Sequence, residues 1–217
     1  MERLESNPFS QPIFLMPAVA VAGFGQTLKV EPIPNPAPAG SLEAHWSATQ
    51  DGNPLSSWVE PLKDGSYALR YAYRRGARWS EPRTIVANRH FFRQPAESPS
   101  VISFPGGALL AEWVEIPKES SEAEYIYVSA SKDGIQWTTP VMANRDRMPV
   151  QHALVSMVAS GDREASLIWL EALKGEDAPS VLKRTVVSSD GKILKEESLD
   201  QDVCTCCPTS IVKTARG

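Results

Sequence analysis

The sequence lacks an excess of positive charge, because 26 Asp and Glu outnumber 22 Lys and Arg and the formal net charge is −4. Nucleic-acid binding requires a basic face that displaces counterions from the phosphate backbone, so we expect no nucleic-acid partner. Long hydrophobic runs are also lacking, and the apolar run over residues 13–24 is too short to span a bilayer. We therefore expect no membrane span. The hydrophobic content of 42% is that of an ordinary globular chain.

The N-terminal segment has the composition of a leader followed by a linker. Residues 13–24 have the length of a signal-peptide hydrophobic region, although the preceding residues carry two glutamates against one arginine. Residues 30–40 alternate proline with other residues, which favours an extended polyproline-like lead-in. We predict a leader and lead-in over residues 1–40, a folded domain over residues 41–217, and export to the periplasm or the extracellular space.

The rest of the chain repeats with a period of about 55 residues. The tryptophans of a Trp-x-Glu motif, Trp58, Trp113 and Trp169, are 55 and 56 residues apart. A second marker, Val-Ala-Asn-Arg at residues 86–89, recurs as Met-Ala-Asn-Arg at residues 142–145, which is 56 residues later. The register of the repeat therefore holds at two separate places in the unit.

Each repeat carries the signals of short antiparallel strands. Residues 67–73 and 124–131 alternate larger apolar with smaller or polar side chains, and Asp-Gly, Pro-Gly-Gly and Gly-Asp turns follow. Four strands in about 55 residues are typical of a β-propeller blade, while a row of hairpin sandwiches or Ig-like domains is the alternative. We predict an all-β propeller of four-stranded antiparallel blades, with about three blades and the first strand of a fourth. Such a chain would be a fragment of a six-bladed propeller, with the remaining blades missing.

Residues 129–137, Ser-Ala-Ser-Lys-Asp-Gly-Ile-Gln-Trp, resemble the Asp box of sialidases, with one residue fewer between the aspartate and the glycine. In that motif the aspartate binds backbone N–H groups of its own turn, the glycine takes a positive φ and the tryptophan packs over the turn. The resemblance implies a structural role for Ser131, Asp133, Gly134 and Trp137.

A wider resemblance extends from residue 41 to the C-terminus and includes the Cys-x-Cys-Cys-Pro-Thr segment at residues 204–209. This succession of motifs is similar to a bacterial sialidase-like propeller family of the exo-α-sialidase, BNR-repeat type. The resemblance implies glycoside hydrolysis of a carbohydrate at the central funnel. A non-catalytic propeller that binds a glycan, a metal or a protein partner is the alternative, because the Phe/Tyr-Arg-Ile-Pro motif of sialidases is absent.

Candidate site residues lie where the innermost strands of a propeller begin, since these strands line the central channel. In the segments before these strands we predict Glu97 and Asp146 as catalytic carboxyls. Residues that would bind a carbohydrate or another small anionic ligand are Arg93, Arg145, Arg147, Gln151 and His152. The glutamates of the Trp-x-Glu motif recur in every repeat, which favours a structural role at the end of each second strand.

All three cysteines lie within four residues, at Cys204, Cys206 and Cys207. A disulfide between Cys204 and Cys207, or a strained ring between Cys206 and Cys207, fits an exported protein. A metal site completed by His152 or His90 and a packed set of free thiols are the alternatives. Adjacent residues of a strand point to opposite faces, so Cys206 and Cys207 rarely bind one ion. We predict no metal and no cofactor.

Overall fold

The computed structural model describes residues 29–117, 123–173, 179–204 and 207–214. The chain divides into two compact units, Met1–Pro34 and Asn35–Gly217, and the described part of the first unit forms no regular secondary structure. The predicted leader, up to residue 28, and Cys206 lie outside the described residues. Within the described ranges, no helix is long and apolar enough to cross a membrane.

Three antiparallel sheets correspond to the three sequence repeats. The first sheet contains β1 (Leu42–Ala48), β2 (Pro54–Pro61), β3 (Tyr67–Arg75), β4 (Arg78–Trp79) and β5 (Arg83–Ala87). The second contains β6 (Ser100–Ser103), β7 (Leu109–Glu115), β8 (Tyr125–Ser131) and β9 (Val141–Met142). The third contains β10 (His152–Ala159), β11 (Glu164–Ala172), β12 (Ser180–Ser188) and β13 (Ile193–Val203).

The prediction of four-stranded antiparallel blades is confirmed. Each sheet runs in chain order from an innermost to an outermost strand, and in the first sheet β5 takes the fourth position beside β3. The extra strand β4 has only two residues, which follow a tight turn and pair with the last two residues of β3. Within the described residues the chain has no α-helix, and its one 3₁₀ turn, Pro105–Gly107, joins β6 to β7.

Two hydrophobic cores separate the sheets, and β7 contributes to both. Successive residues of a strand point to opposite faces, so Trp113 packs towards the first sheet with Leu69 and Tyr71. Leu110 and Val114 project the other way and pack with the third sheet. This two-sided burial explains why β7 is buried along its whole length.

The innermost strands are joined by side-chain bonds to the backbone of the next sheet. Ser47 Oγ of β1 donates to the carbonyl of Val101 in β6 at 2.5 Å. Beyond β10, Thr209 Oγ1 donates to the carbonyl of Leu154 at 2.6 Å, and Ser156 Oγ donates to the carbonyl of Thr209 at 2.6 Å. Residues 207–214 thus occupy the place expected for the first strand of a fourth blade, without regular strand pairing.

Two innermost strands contain a β-bulge at the same place in the repeat. The pairing of β1 with β2 shifts between Leu42 and His45, and that of β10 with β11 shifts between Ala153 and Ser156. The bulged residues are Glu43, with φ of 52°, and Leu154, with φ of 58°. A left-handed non-glycine residue costs about 1 kcal/mol or more, so surrounding contacts must hold each bulge in place. Both bulges lie near the face on which β1, β6 and β10 begin, which we call the funnel face.

Candidate functional site

The central channel is lined by equivalent residues of the three innermost strands. His45, Ser100 and Ser156 pair across their sheets with the residue that precedes the motif tryptophan in each second strand. With residues 208–211 they line a cavity of about 280 Å³. Nδ1 of His45 is buried without a hydrogen-bond partner among the described residues, and burial lowers the pKa of His45. The polar groups along this part of the channel are therefore hydroxyls and an imidazole whose protonation is disfavoured by burial.

Glu97, predicted as catalytic, lies almost fully buried against the bulge of β10. Its carboxylate accepts hydrogen bonds from the backbone N–H groups of Leu154 and Val155, the latter at 3.4 Å. The left-handed turn at Leu154 directs these two N–H groups to one carboxylate. Burial raises the pKa of Glu97 to about 8 against the lowering effect of both bonds, and the negative charges of Glu124 and Glu43 add to the rise.

A second buried carboxyl, Glu112 of β7, was missed by the sequence analysis. Its Oε1 accepts from the N–H of Ser100 at 3.0 Å, while Oε2 has no partner among the described residues. Burial and the neighbouring charge of Glu97 raise the pKa of Glu112 well above its usual range. A glutamate among the apolar residues of Leu-Leu-Ala-Glu-Trp-Val was the available sequence signal.

A third carboxyl, Glu43 at the bulge of β1, opens onto a cavity of the funnel face. The cavity has a volume of about 660 Å³ and is also lined by Arg93, Gln94 and Ser98. Burial raises the pKa of Glu43 to about 7, opposed by the charge of Arg93 and by a hydrogen bond from the backbone of Gln94. Glu43 was not among the residues predicted from the sequence, although its position lies one period of 55 residues before Ser98.

The three predicted arginines have different partners. Arg93 donates to the hydroxyl of Tyr67 at 2.5 Å, and its guanidinium lies over that ring at 4.3 Å from the centroid. The backbone N–H of Arg145 donates to Glu196 of β13 at 2.7 Å. The carbonyl of Arg147 accepts from the hydroxyl of Tyr125 at 3.0 Å. Because the contacts of Arg145 and Arg147 are made by backbone atoms, they do not locate these two guanidinium groups, and joint binding of an anionic ligand by the three arginines stays a prediction.

Asp146, Gln151 and His152 lie at the boundary between the second and third sheets. Nδ1 of His152 bonds the carbonyl of Glu124 at 2.8 Å, and the Gln151 side chain bonds the Glu124 carboxyl. Burial raises the pKa of Glu124 to about 7, and the bond from Gln151 opposes the rise. Ligand atoms of Asp146, His152 and Glu171 lie within 4.8 Å of one another. Two of the predicted residues are thus brought together, and with them the glutamate of the third Trp-x-Glu motif.

Each glutamate of the Trp-x-Glu motif has a cationic partner at the end of its strand. Glu60 pairs with Arg70 at 3.2 Å, Glu115 with Arg89 at 2.6 Å and Glu171 with Lys183 at 3.2 Å. Residues two apart on a strand share a face, so the indole N–H of the first and second motif tryptophans also donates to the motif glutamate. These contacts support the structural role expected from the repetition.

The turn at Asp133 lies between the first two sheets, away from the channel cavity. Oδ1 of Asp133 accepts from the N–H groups of Ile135 and Gln136, both at 2.8 Å, and these bonds lower the pKa of Asp133. The Ser131 hydroxyl accepts from the N–H of Gly134 at 2.9 Å. Gly134 has φ of 67°, and a Cβ there would lie 2.4 Å from the Tyr71 hydroxyl, so only glycine fits.

The remaining predicted residues are Trp137 and the cysteines. Trp137, at the end of the Asp133 turn, packs edge-to-face against Tyr71 with ring centroids 5.9 Å apart. Cys204 and Cys207 are exposed, and the predicted disulfide, Cys204–Cys207 or Cys206–Cys207, stays a prediction.

Comparison with known proteins found no matching family model and no matching curated protein. Among solved structures, an α-L-arabinanase of Penicillium chrysogenum complexed with arabinobiose is similar, with a TM-score of 0.53 and 9% identity over 73% of this chain. A GH93 α-L-arabinofuranosidase of Fusarium graminearum with arabinobiose has a TM-score of 0.51 and 9% identity over 72% of this chain. The chain spans about half the length of both, at 50% coverage. At this identity the likeness shows a shared fold.

Proposed function

We propose that this chain forms part of a propeller glycoside hydrolase, with Glu43 as the proton-donating carboxyl at the funnel face. One observation carries the proposal: Glu43 is a half-buried carboxyl with a pKa of about 7 in an open cavity beside Arg93. Glycoside hydrolysis needs a carboxyl that still holds its proton near neutral pH and can give it to the leaving oxygen. The shared fold with two arabinan-degrading enzymes supports the same reaction class.

The residues around Glu43 suit a hydroxyl-rich or anionic sugar. Arg93 and Gln94 supply donors on one side of the cavity, and Ser98 supplies a hydroxyl. Glu97 is too buried to reach a substrate and holds the bulge of β10, so we assign it a positioning role.

We consider two classes of glycoside as the substrate. α-L-Arabinofuranosides are suggested by the structurally similar enzymes, and sialosides by the Asp-box resemblance. Fluorogenic glycosides of both classes should be assayed with the full chain, with Glu43→Gln and with Glu81→Gln, whose carboxylate is exposed in a loop, as the matched control. We expect Glu43→Gln to lower kcat/KM by about 100-fold or more and the control to leave it unchanged.

The pH dependence of hydrolysis is a second test of Glu43 as the general acid. A general acid must be protonated, so activity should fall as the pH rises through about 7, where Glu43 loses its proton. Hydrolysis that Glu43→Gln leaves intact would overturn the assignment.

A non-catalytic glycan-binding propeller is the second candidate, supported by the Arg93 guanidinium, which lies over the ring of Tyr67 and lines the Glu43 cavity. It predicts glycan binding without turnover, lost in Arg93→Ala and retained in the exposed control Arg78→Ala. Binding measured by calorimetry alongside the hydrolysis assay separates the two candidates.

A further inference from the structure

We propose that Asp146, His152 and Glu171 form a binding site for a first-row divalent transition metal ion such as Zn²⁺, independent of the Glu43 cavity. His152 is the first residue of β10, and Glu171 lies directly opposite it on β11. Asp146 comes from the loop between β9 and β10. One ligand atom from each residue lies within 4.8 Å of the other two.

The hydrogen bonding of His152 prepares its Nε2 as a ligand. A carbonyl only accepts, so the 2.8 Å contact with the Glu124 carbonyl assigns the hydrogen of a neutral imidazole to Nδ1. Nε2 then carries a lone pair and points towards Glu171. Metal-binding histidines ordinarily donate their other N–H to a carbonyl or carboxylate in this way. Stacking on Tyr125 and contact with Trp169, both at 5.6 Å between ring centroids, fix the ring plane.

Two buried acceptor atoms face each other in the site. His152 Nε2 and Glu171 Oε2 are 3.6 Å apart, and neither has a hydrogen-bond partner among the described residues. His152 is 0% exposed and Glu171 is 5% exposed, so bulk water does not compensate for the missing donors. Two ligands bound tetrahedrally to one Zn²⁺ at about 2.1 Å lie about 3.4 Å apart, which matches this gap.

Neighbouring groups leave the ligand atoms available. Lys183 Nζ binds Oε1 of Glu171 at 3.2 Å, so Oε2 stays directed at the histidine. The lysine charge is shared with Glu196 at 3.7 Å. On the loop, Oδ1 of Asp146 accepts from the N–H of Met148 at 2.9 Å, which orients the carboxylate. Asp146 is only half-buried, which provides a path for an ion from solvent.

The second and third repeats differ at this site. In the second sheet, the residue that bridges to the motif glutamate Glu115 is Phe91, which offers no ligand atom. One imidazole with two carboxylates favours Zn²⁺ or Mn²⁺ over Ca²⁺ and Mg²⁺, which prefer oxygen ligands alone.

Titration of Zn²⁺ into the EDTA-treated full chain, with binding measured by calorimetry, tests the proposal. We expect one equivalent to bind, and Asp146→Asn to weaken binding at least 10-fold while retaining the oxygen that accepts from Met148. Asp162→Asn, a change of the same kind in an exposed loop, should bind like the wild type. Because cysteines also bind zinc, Co²⁺ should replace Zn²⁺ in a parallel titration, where thiolate ligands produce a strong near-ultraviolet charge-transfer band. The proposal is overturned by that band, by equal affinity of wild type and Asp146→Asn, or by no stoichiometric binding.

Nitrogen NMR of the imidazoles distinguishes a metal from a bound proton. The chain has 3 histidines, so the signals can be assigned by substitution. We expect His152 without metal to carry hydrogen on Nδ1 alone and its Nε2 signal to move on addition of Zn²⁺. An imidazolium with both nitrogens protonated and unaffected by Zn²⁺ would show that a proton fills the gap and would refute the metal site.

Discussion

The second and third sheets carry the same Trp-x-Glu motif but give its tryptophan different partners. In β7 the indole N–H of Trp113 donates to Glu115, which also pairs with Arg89. In β11 the indole N–H of Trp169 donates instead to Thr185 Oγ1 of β12 at 3.0 Å.

This difference releases the third glutamate for other contacts. Glu171 keeps a cationic partner in Lys183 but directs its second oxygen at His152. The hydroxyl of Thr185 takes the indole hydrogen bond in the third sheet, so Glu171 is not needed as the acceptor for its tryptophan. Repetition in the sequence identifies a structural position, and the neighbours decide what that position does in each blade.

Removing the tryptophans should have the largest effect and should affect both sheets alike. Trp113 and Trp169 are both 0% exposed, so each Trp→Ala change should cost about 3–5 kcal/mol of unfolding free energy. Urea unfolding measures the cost, with Trp46→Ala, at a side chain that is 53% exposed, as the control. A cost below about 1 kcal/mol at either buried position would show that the core does not depend on the motif.

Replacing the motif glutamate should change the stability differently in the two sheets. Glu115→Gln weakens the pair with Arg89 and should cost about 1–3 kcal/mol. Glu171→Gln should cost nothing or stabilise the metal-free chain, because the amide can donate to His152 Nε2 and still accept from Lys183. Thermal melts of both variants in EDTA check this. Equal destabilisation would mean that the two glutamates have the same role.

Glu112 is buried on the opposite face of β7 from Glu115. It tests how a buried glutamate that is not paired with a cation affects stability. Burial and the charge of Glu97 raise the pKa of Glu112 in the folded state. Its contribution to the free energy of unfolding is therefore fully present below the pKa of the unfolded state, and is lost as the pH rises towards the pKa of the folded state. Glu112→Gln should therefore raise the unfolding free energy at pH 8 by about 1 kcal/mol or more and flatten its fall between pH 5 and pH 8. Unfolding at several pH values measures the slope, and an unchanged slope would contradict the assignment.

Removing the hydroxyl that distinguishes the third sheet should have the smallest effect. Thr185→Val leaves the buried indole N–H of Trp169 without its partner and should cost about 1 kcal/mol. Thr185→Ser keeps the hydroxyl and should retain most of the stability. If both variants melt at the same temperature, the hydrogen bond contributes nothing to stability and the contrast between the sheets has another cause.

The sequence located part of the candidate site because the repeat register carries over to three dimensions. Glu97 and Asp146 precede innermost strands, and His152 is the first residue of one. Glu43 was missed because the register was not extended back to the first sheet, where Leu42–Ala48 forms the innermost strand. Glu112 was missed because local alternation does not reveal that both faces of β7 are buried.

The sequence by itself determined the blade architecture, because strand period, turn residues and a spacing of 55 to 56 residues between motif tryptophans are local or periodic properties. Tertiary structure decided the direction of the pKa shifts and the partners of the site residues. Glu97 binds the backbone of a residue 57 positions away, and the Arg93 guanidinium is held by the hydroxyl of Tyr67. Burial and neighbouring charge fix these properties, and both arise only when distant segments pack together.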